Sequence, residues 1–293
     1  MRLLLTVLVI ITASCAWLRS DPKDDPDFDR YEELRAVHQH WLQALHGLRN
    51  AETTWPANDC DAWIWTGKAV AAGAMDINLG LSEYPGEPGR YGRRPPIDSR
   101  WCWQDGHAYG SASTWSRDMF KCGMLVYALQ TGALDMLQWH RAYGQDNGWI
   151  MGEPAGSDRV VYTPAIRGHL SRAIEHLGGG SDDDGLIPDI YIAGQTDYKA
   201  HLQMCGIWAD GRIKGTLSPA QIKRIEEHSA RSPETIFYQF MLARWVSGDL
   251  DPVADALLAD PATAGEYVRC GDSEPACQLA EKAWVASLIL ELK

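Results

Sequence analysis

Along most of the chain, apolar residues recur every three to four positions, the period of helices that bury one face. Tyr31, Leu34, Trp41, Leu45 and Leu48 form one stripe of a helix from Tyr31 to Leu48, with His38 in the same row. His38 is therefore read as a core or groove histidine rather than a ligand. A second helix, Asp61 to Asp76, is rich in small residues (Gly67, Ala69, Ala71, Ala72, Gly73, Ala74) that let helices pack closely. Ser116 reads as an N-cap, and its helix stops at Gly132. Asp135 to Asp146 follows and ends at Asn147 and Gly148. Thr163 and Pro164, as N-cap and first helical residue, open a helix reaching Leu177. Further helices are predicted near 197–209, 219–230, 233–247, 251–259 and 276–292, two of them opening at Ser218–Pro219 and Ser232–Pro233. Arg159 to Tyr162 and Leu186 to Ala193 look strand-like, and both are short.

The stretch from Tyr84 to Thr114 is irregular, yet holds Trp101, Trp103, His107 and Tyr109. A loop this long in a compact domain is functional or disordered, and its aromatic content argues against disorder. The run from Met124 to Asp135 is echoed from Met241 to Asp251. Each is a helix, a Gly stop, Leu-Asp and the next helix, the grammar of stacked antiparallel helix pairs. The expected architecture is all-α, one helical domain over residues 31–293 built as an array of antiparallel helix pairs, such as an incomplete (α/α) toroid, with long aromatic-rich loops.

The first residues have a different pattern. Arg2 precedes an apolar run from Leu3 to Ile11, then small residues before Cys15. This reads as an export signal, too short to span a bilayer comfortably. Small residues before a cysteine resemble a bacterial lipoprotein signal over residues 1–15, with Cys15 lipidated and residues 16–30 a charged, Pro-broken tether. Thr12 stands where an aliphatic residue is usual, so cleavage after Ala16 and a retained anchor stay open. The expectation is a periplasmic or outer-membrane-anchored lipoprotein, with a membrane partner through the lipid, or a secreted protein.

Setting Cys15 aside leaves Cys60, Cys102, Cys122, Cys205, Cys270 and Cys277, an even set that suits disulfides in an exported chain. Cys270 and Cys277 flank a short loop and are expected to pair. Cys60 with Cys102 is a further option. Cys122 and Cys205 lie in apolar helical patterns, where a buried thiol and a bridge are equally open.

Charge and composition narrow the function. A net charge of −12 disfavours nucleic acid as a partner, because phosphate binding needs a Lys/Arg excess. The chain has 13 Trp against 4 Phe, a bias towards a side chain with a flat face and one N–H donor that suits partly wet clefts. No cofactor or metal is expected. Gly178 to Gly180 opens no βα unit, Asp182 to Asp184 lacks the frame of a calcium loop, and no CxxC, GxSxG or HExxH occurs.

Polar and aromatic residues crowd into three segments at predicted helix ends. One holds Asp61, Trp63 and Trp65. Another runs from Asp98 through Trp101 and Trp103 to Arg117 and Asp118. The third runs from His140 and Arg141 through Tyr143, Asn147 and Trp149 to Glu153. Asp118 is either a charge–dipole contact in the first turn of its helix or a carboxylate in a cleft beside Arg117, and Asp61 has the same two readings. Two carboxylates facing one groove would suit glycoside hydrolysis, one protonating the leaving oxygen and the other activating water or attacking carbon. Asp61, Asp118 and Glu153 are the candidate catalytic acids. Trp63, Trp101, Trp103, Arg117, His140, Asn147 and Trp149 are the candidate substrate contacts. Asp61, Trp103, Asp118 and Trp149 are expected to line one depression.

Ser-Arg-Asp at a helix start, a helix ending in Thr-Gly, and Asn-Gly-Trp at the next helix end resemble the rim of (α/α)-toroid carbohydrate-active enzymes, over roughly Asp61 to Leu177. The resemblance implies an exported enzyme acting on a polysaccharide or oligosaccharide, with a glycoside hydrolase first. Helical-toroid polysaccharide lyases are similar in combining Asn, His, Tyr and Arg. There Asn147 would neutralise a uronate, His140 or Tyr143 would take the proton, and Arg141 or Arg167 would support the anion. A Trp-rich lipoprotein that binds glycan or protein without chemistry is the third reading.

Overall fold

The computed structural model describes residues 26–47, 63–74, 83, 86–92, 102–104, 107–110, 116–151, 160–180, 197–259 and 274–293. The signal with Cys15, most of the tether, Cys60, Asp61, Trp101, Glu153, the 182–184 and 186–193 segments and Cys270 lie outside these. In chain order the helices are α1 (Pro26–Gly47), α2 (Trp63–Ala71), a π-helical segment (Met119–Met124) continuing into α3 (Leu125–Thr131), and α4 (Leu134–Asp146). They continue as α5 (Pro164–His176), α6 (Asp197–Lys214), α7 (Pro219–Arg231), α8 (Ile236–Leu242) with a π-helical end (Ala243–Ser247), α9 (Asp251–Ala259) and α10 (Glu274–Leu292). Two short antiparallel ribbons accompany them: β1 (Cys102–Gln104) with β2 (His107–Gly110), and β3 (Ile150–Met151) with β4 (Val160–Val161). The described part is all-α, as the periodicity predicts. No described helix is long and apolar enough to cross a membrane.

Local chemistry explains most boundaries. Thr163 accepts from the Ile166 amide and Pro164 takes the first helical position, which opens α5. Ser218 and Gln221 form a reciprocal capping box that opens α7. The helices before α4 and α9 end at Gly132 and Gly248, whose φ values of 79° and 76° only glycine adopts without strain. The echoed motif therefore shares its stop, with a π-helical stretch just before the first copy and one inside the second. The two residues between α3 and α4 leave an antiparallel helical hairpin.

Several boundaries differ from the sequence reading. Helix α1 opens at Pro26 rather than Tyr31, so residues 26–30 of the expected tether are helical, and α6 runs on past 209 to Lys214. The second helix is shorter at its C-terminal end, stopping at Ala71, because Gly73 at φ 104° turns the chain and the Ala74 amide donates back to Ala69. Helix α8 begins after Thr235 rather than at Ser232, because Ser232 already caps α7 through its amide to His228. The long irregular stretch contains the β1–β2 ribbon, which no alternation announced.

One contiguous core draws on every helix from α1 to α10. Its tightest crossing lies between α2 and the π-helical segment. A Cβ on Gly67 would stand 2.6 Å from the Gly123 carbonyl oxygen, and one on Gly123 would stand 2.1 Å from that of Trp63. The small residues of α2 thus let two backbones touch, as their pattern suggests. The tryptophans correct an expectation. Trp41, Trp63, Trp65, Trp208 and Trp284 are core residues, and Trp139, Trp149 and Trp245 are half-buried against that core.

Candidate functional site

Three helix ends meet at one end of the array. The Ser116 hydroxyl accepts from the Met119 amide at 3.2 Å and starts the chain into the π-helical segment, leaving Arg117 exposed and Asp118 half-buried on the first turn. Helix α4 finishes beside this start and α5 begins there. Phe120 ties them together, its ring 4.9 Å from Tyr162 and 5.4 Å from His140.

The end of α4 is unusual. Asn147 donates its amide back to the Tyr143 carbonyl at 2.9 Å. Gly148 and then Trp149 adopt positive φ, 62° and 64°, and Trp149 is alone among described non-glycine residues in doing so. Its amide donates to the Gly144 carbonyl at 2.6 Å, and its carbonyl accepts from Tyr162 at 3.0 Å. The six-membered ring of the indole packs against Gly144, where a Cβ would come within 2.4 Å of it. The Arg167 guanidinium sits 5.1 Å from the indole centre. A bulky aromatic held in the left-handed region costs about 1–3 kcal/mol, and such strain collects at functional sites. Next to it Trp139 stacks on Tyr143 at 4.9 Å, with Arg90 above Trp139 at 5.9 Å.

The structure thus gathers Asn147, Trp149 and Arg167 at the end of α4, with Phe120, two residues after Asp118, packed on Tyr162 beside them. It does not bring Trp63 there. That ring is fully buried against Tyr91 at 5.3 Å and Tyr127 at 5.9 Å. Tyr127 lies nine residues beyond Asp118, roughly 10–13 Å along a helix. His140 is also fully buried, stacked on Tyr162 with its Nδ1 3.3 Å from the tyrosine hydroxyl. Burial lowers its pKa to about 3. Both residues are core side chains with no face for a substrate, because the apolar stripes of α2 and α4 carry them inwards. Trp103 stands on β1 opposite Ala108. Asp61, Trp101 and Glu153 lie outside the described residues, so the expected pairing of carboxylates rests on Asp118 alone.

A second polar cluster escaped the sequence reading. At the crossing of α2, α6 and α10, Lys68 Nζ contacts Glu281 Oε2 at 2.7 Å and His201 Nε2 at 3.1 Å. Lys68 is 1% exposed and Glu281 0%. The ammonium also faces the rings of Trp284 at 5.3 Å and Phe237 at 5.7 Å. Burial and the neighbouring ammonium hold His201 well below the usual histidine range, so its imidazole is neutral. One turn along α6, Cys205 is bonded to Cys122 of the π-helical segment, with Cα atoms 5.3 Å apart. Cys277 is disulfide-bonded as well, and its expected partner Cys270 lies outside the described residues.

Beside this cluster, buried Asp210 accepts from Arg172 Nη2 at 2.9 Å and from Gln221 at 2.8 Å, tying α5, α6 and α7. Buried His169 stands 3.7 Å from it. The sequence signal for the ionic centre was charge inside an apolar helix, Lys68 among Gly67, Ala69 and Ala71, and Glu281 with Lys282 between Ala280 and Ala283. Such charges demand a partner, but the sequence does not say which.

The arrangement offers a wet end with a carboxylate, two guanidinium groups and a strained indole, and a dry centre with an ion pair and two sulfurs. No protein-family model, curated protein or solved structure matches the chain.

Proposed function

We propose that the protein is an exported carbohydrate-active enzyme, a glycoside hydrolase, whose glycan site is the end of the array formed by the π-helical start, the end of α4 and the start of α5. The observation that carries this reading is the strained Trp149 at the end that also holds Asp118. An indole fixed from beneath by Gly144 and flanked by Arg167 can offer a ring face to the apolar C–H face of a sugar, while Arg117 and Asn147 suit its hydroxyls. Asp118, at a helix start beside Arg117, is the carboxylate proposed to move the proton, with Asp61 or Glu153 as its partner. Export is supported by the signal-like first residues and by the Cys122–Cys205 bridge, since disulfides persist in oxidising compartments. The resemblance to (α/α)-toroid enzymes belongs to the same proposal.

The elimination reading draws less support, because His140 is sealed in the core and only half-buried Tyr143 is left as its base. The test is a panel of neutral and acidic polysaccharides, assayed for new reducing ends and for the near-ultraviolet absorbance of an unsaturated uronate. Reducing ends without absorbance support hydrolysis. Absorbance on a uronate polymer contradicts it in favour of elimination. Glycan binding with neither signal leaves a binding lipoprotein.

A further inference from the structure

Arg167, near the start of α5, is half-buried, and its guanidinium lies over the Trp149 indole, 5.1 Å from the ring centre. Its Nε is buried and has no hydrogen-bond partner. The other described arginines that are not exposed all reach an oxygen: Arg30 at Asp251, Arg90 at Glu87, Arg172 at Asp210, Arg224 at Glu227, and Arg141 at the Gly179 and Gly180 carbonyls. A covered guanidinium needs such an acceptor, because its N–H groups lose water on burial. Among the described residues, Arg167 has none, in a chain with 39 acidic side chains. Its contact with the indole uses the flat face of the guanidinium and leaves the N–H edge for an acceptor. The indole is itself held in place: its backbone is left-handed at φ 64°, its ring packs on Gly144, and its carbonyl accepts from the Tyr162 amide.

We propose that Arg167 is the subsite for a carboxylate carried by the glycan, so that the preferred substrate class is a chain containing uronic acid. The inference rests on the glycan reading above and adds the charge of the ligand to it. A carboxylate presents two oxygens in one plane, and a guanidinium edge presents parallel N–H groups that match them. Such a pair satisfies the buried Nε, which a neutral hydroxyl does with one oxygen and no charge. Trp149 and Arg167 are close enough for one sugar unit to meet both, its C–H face on the indole and its acid on the guanidinium. The net charge of −12 opposes an anion at long range, but salt screens it beyond about 8 Å, so the nearby guanidinium decides. The contact binds ligand and leaves proton transfer to Asp118. Neutral chains therefore bind more weakly and are still cut.

The test measures binding rather than turnover. Trisaccharides of glucuronate, galacturonate and mannuronate, and their carboxyl-reduced counterparts, are titrated into the full chain and into Arg167→Gln and Arg167→Lys, with heat of binding as the readout. At least one uronate should bind about tenfold or more tighter than its reduced counterpart, and that ratio should fall to about one in Arg167→Gln. Arg167→Lys keeps the charge without the fork and should retain part of the ratio. Phenylglyoxal labelling of the unsubstituted chain, mapped by mass spectrometry, should show Arg167 protected by the uronate and not by the reduced sugar. That map decides where a variant does not fold. Equal binding of acid and reduced sugars overturns the inference and leaves the glycan reading standing. A ratio that survives Arg167→Gln, in protein that circular dichroism shows folded, overturns the assignment to this residue. Tighter binding of a sulfated counterpart overturns the assignment of the acid. Binding of no trisaccharide in either form overturns the inference, and if no polysaccharide of the panel releases reducing ends, the glycan reading fails with it.

Discussion

Removing one partner of the Lys68–Glu281 pair should cost far more than removing both. The two groups are 2.7 Å apart, and neither is more than 1% exposed. Lys68→Met leaves a carboxylate in the core whose other oxygen, Oε1, already lacks a hydrogen-bond partner. Stranding a buried charge in this way costs about 3–5 kcal/mol, and this variant belongs at the upper end. Glu281→Leu strands the ammonium instead, which keeps His201 Nε2 and two ring faces. Desolvated cation–π contacts of about 2 kcal/mol soften that loss, so roughly 3 kcal/mol is expected. The double variant Lys68→Met/Glu281→Leu removes both desolvation penalties and fills the space with apolar atoms. It should fall near the parent stability or exceed it by about 1–4 kcal/mol. Urea unfolding with the disulfides intact, followed by the fluorescence of buried Trp208 and Trp284, measures all four corners of the cycle. Single losses below about 1 kcal/mol, or a double variant as unstable as the sum of the singles, would refute the reasoning.

Three other outcomes follow from packing and protonation. Gly123→Ala drives a Cβ to 2.1 Å from a backbone oxygen that cannot swing aside, and should cost about 3 kcal/mol or more in the same urea assay. Ser218→Ala removes the hydroxyl half of the α7 capping box and should cost about 0.5–2 kcal/mol; Ser218→Asp should recover most of it. His140, with its pKa lowered from 6.5 to about 3, binds a proton in the unfolded chain before it does so in the folded one. Stability should therefore fall as pH drops from about 6.5 towards 3, by about 1.4 kcal/mol per unit from this residue. His140→Phe should flatten that acid limb by one histidine's share, and an unchanged limb would contradict the burial argument.

What was legible in the chain was what neighbours along it decide. Thr163 with Pro164, Ser218 with Pro219, and Gly132 and Gly248 act through hydrogen bonds or φ preferences within four residues, so their sequence is their structure. Apolar periodicity likewise announced the all-α class. Ser232 misled because its amide closes α7 onto His228, while Thr235 takes the N-cap position of α8. The site was less legible. Asp118, Asn147 and Trp149 could be assigned to helix ends, and each does stand at one. Trp63 and His140 were drawn into the site by residue type, whereas burial is set by which face meets a neighbouring helix. The ionic centre needs residues 68, 201 and 281 together. That juxtaposition is made by tertiary packing and leaves no local pattern beyond a charge inside an apolar helix.

The central claim is that Asp118 moves a proton for glycan hydrolysis. Its most direct test is the rate of reducing-end release from neutral polysaccharides by the parent protein and by Asp118→Asn, measured side by side with their thermal melting. The amide keeps the shape but cannot cycle a proton. The account predicts at least a hundredfold loss of rate with melting shifted by no more than the loss of one charge–dipole contact, about 0.3–1 kcal/mol. Equal rates for the two proteins, with only that small change in melting, would contradict it and leave Asp118 as a helix-start charge.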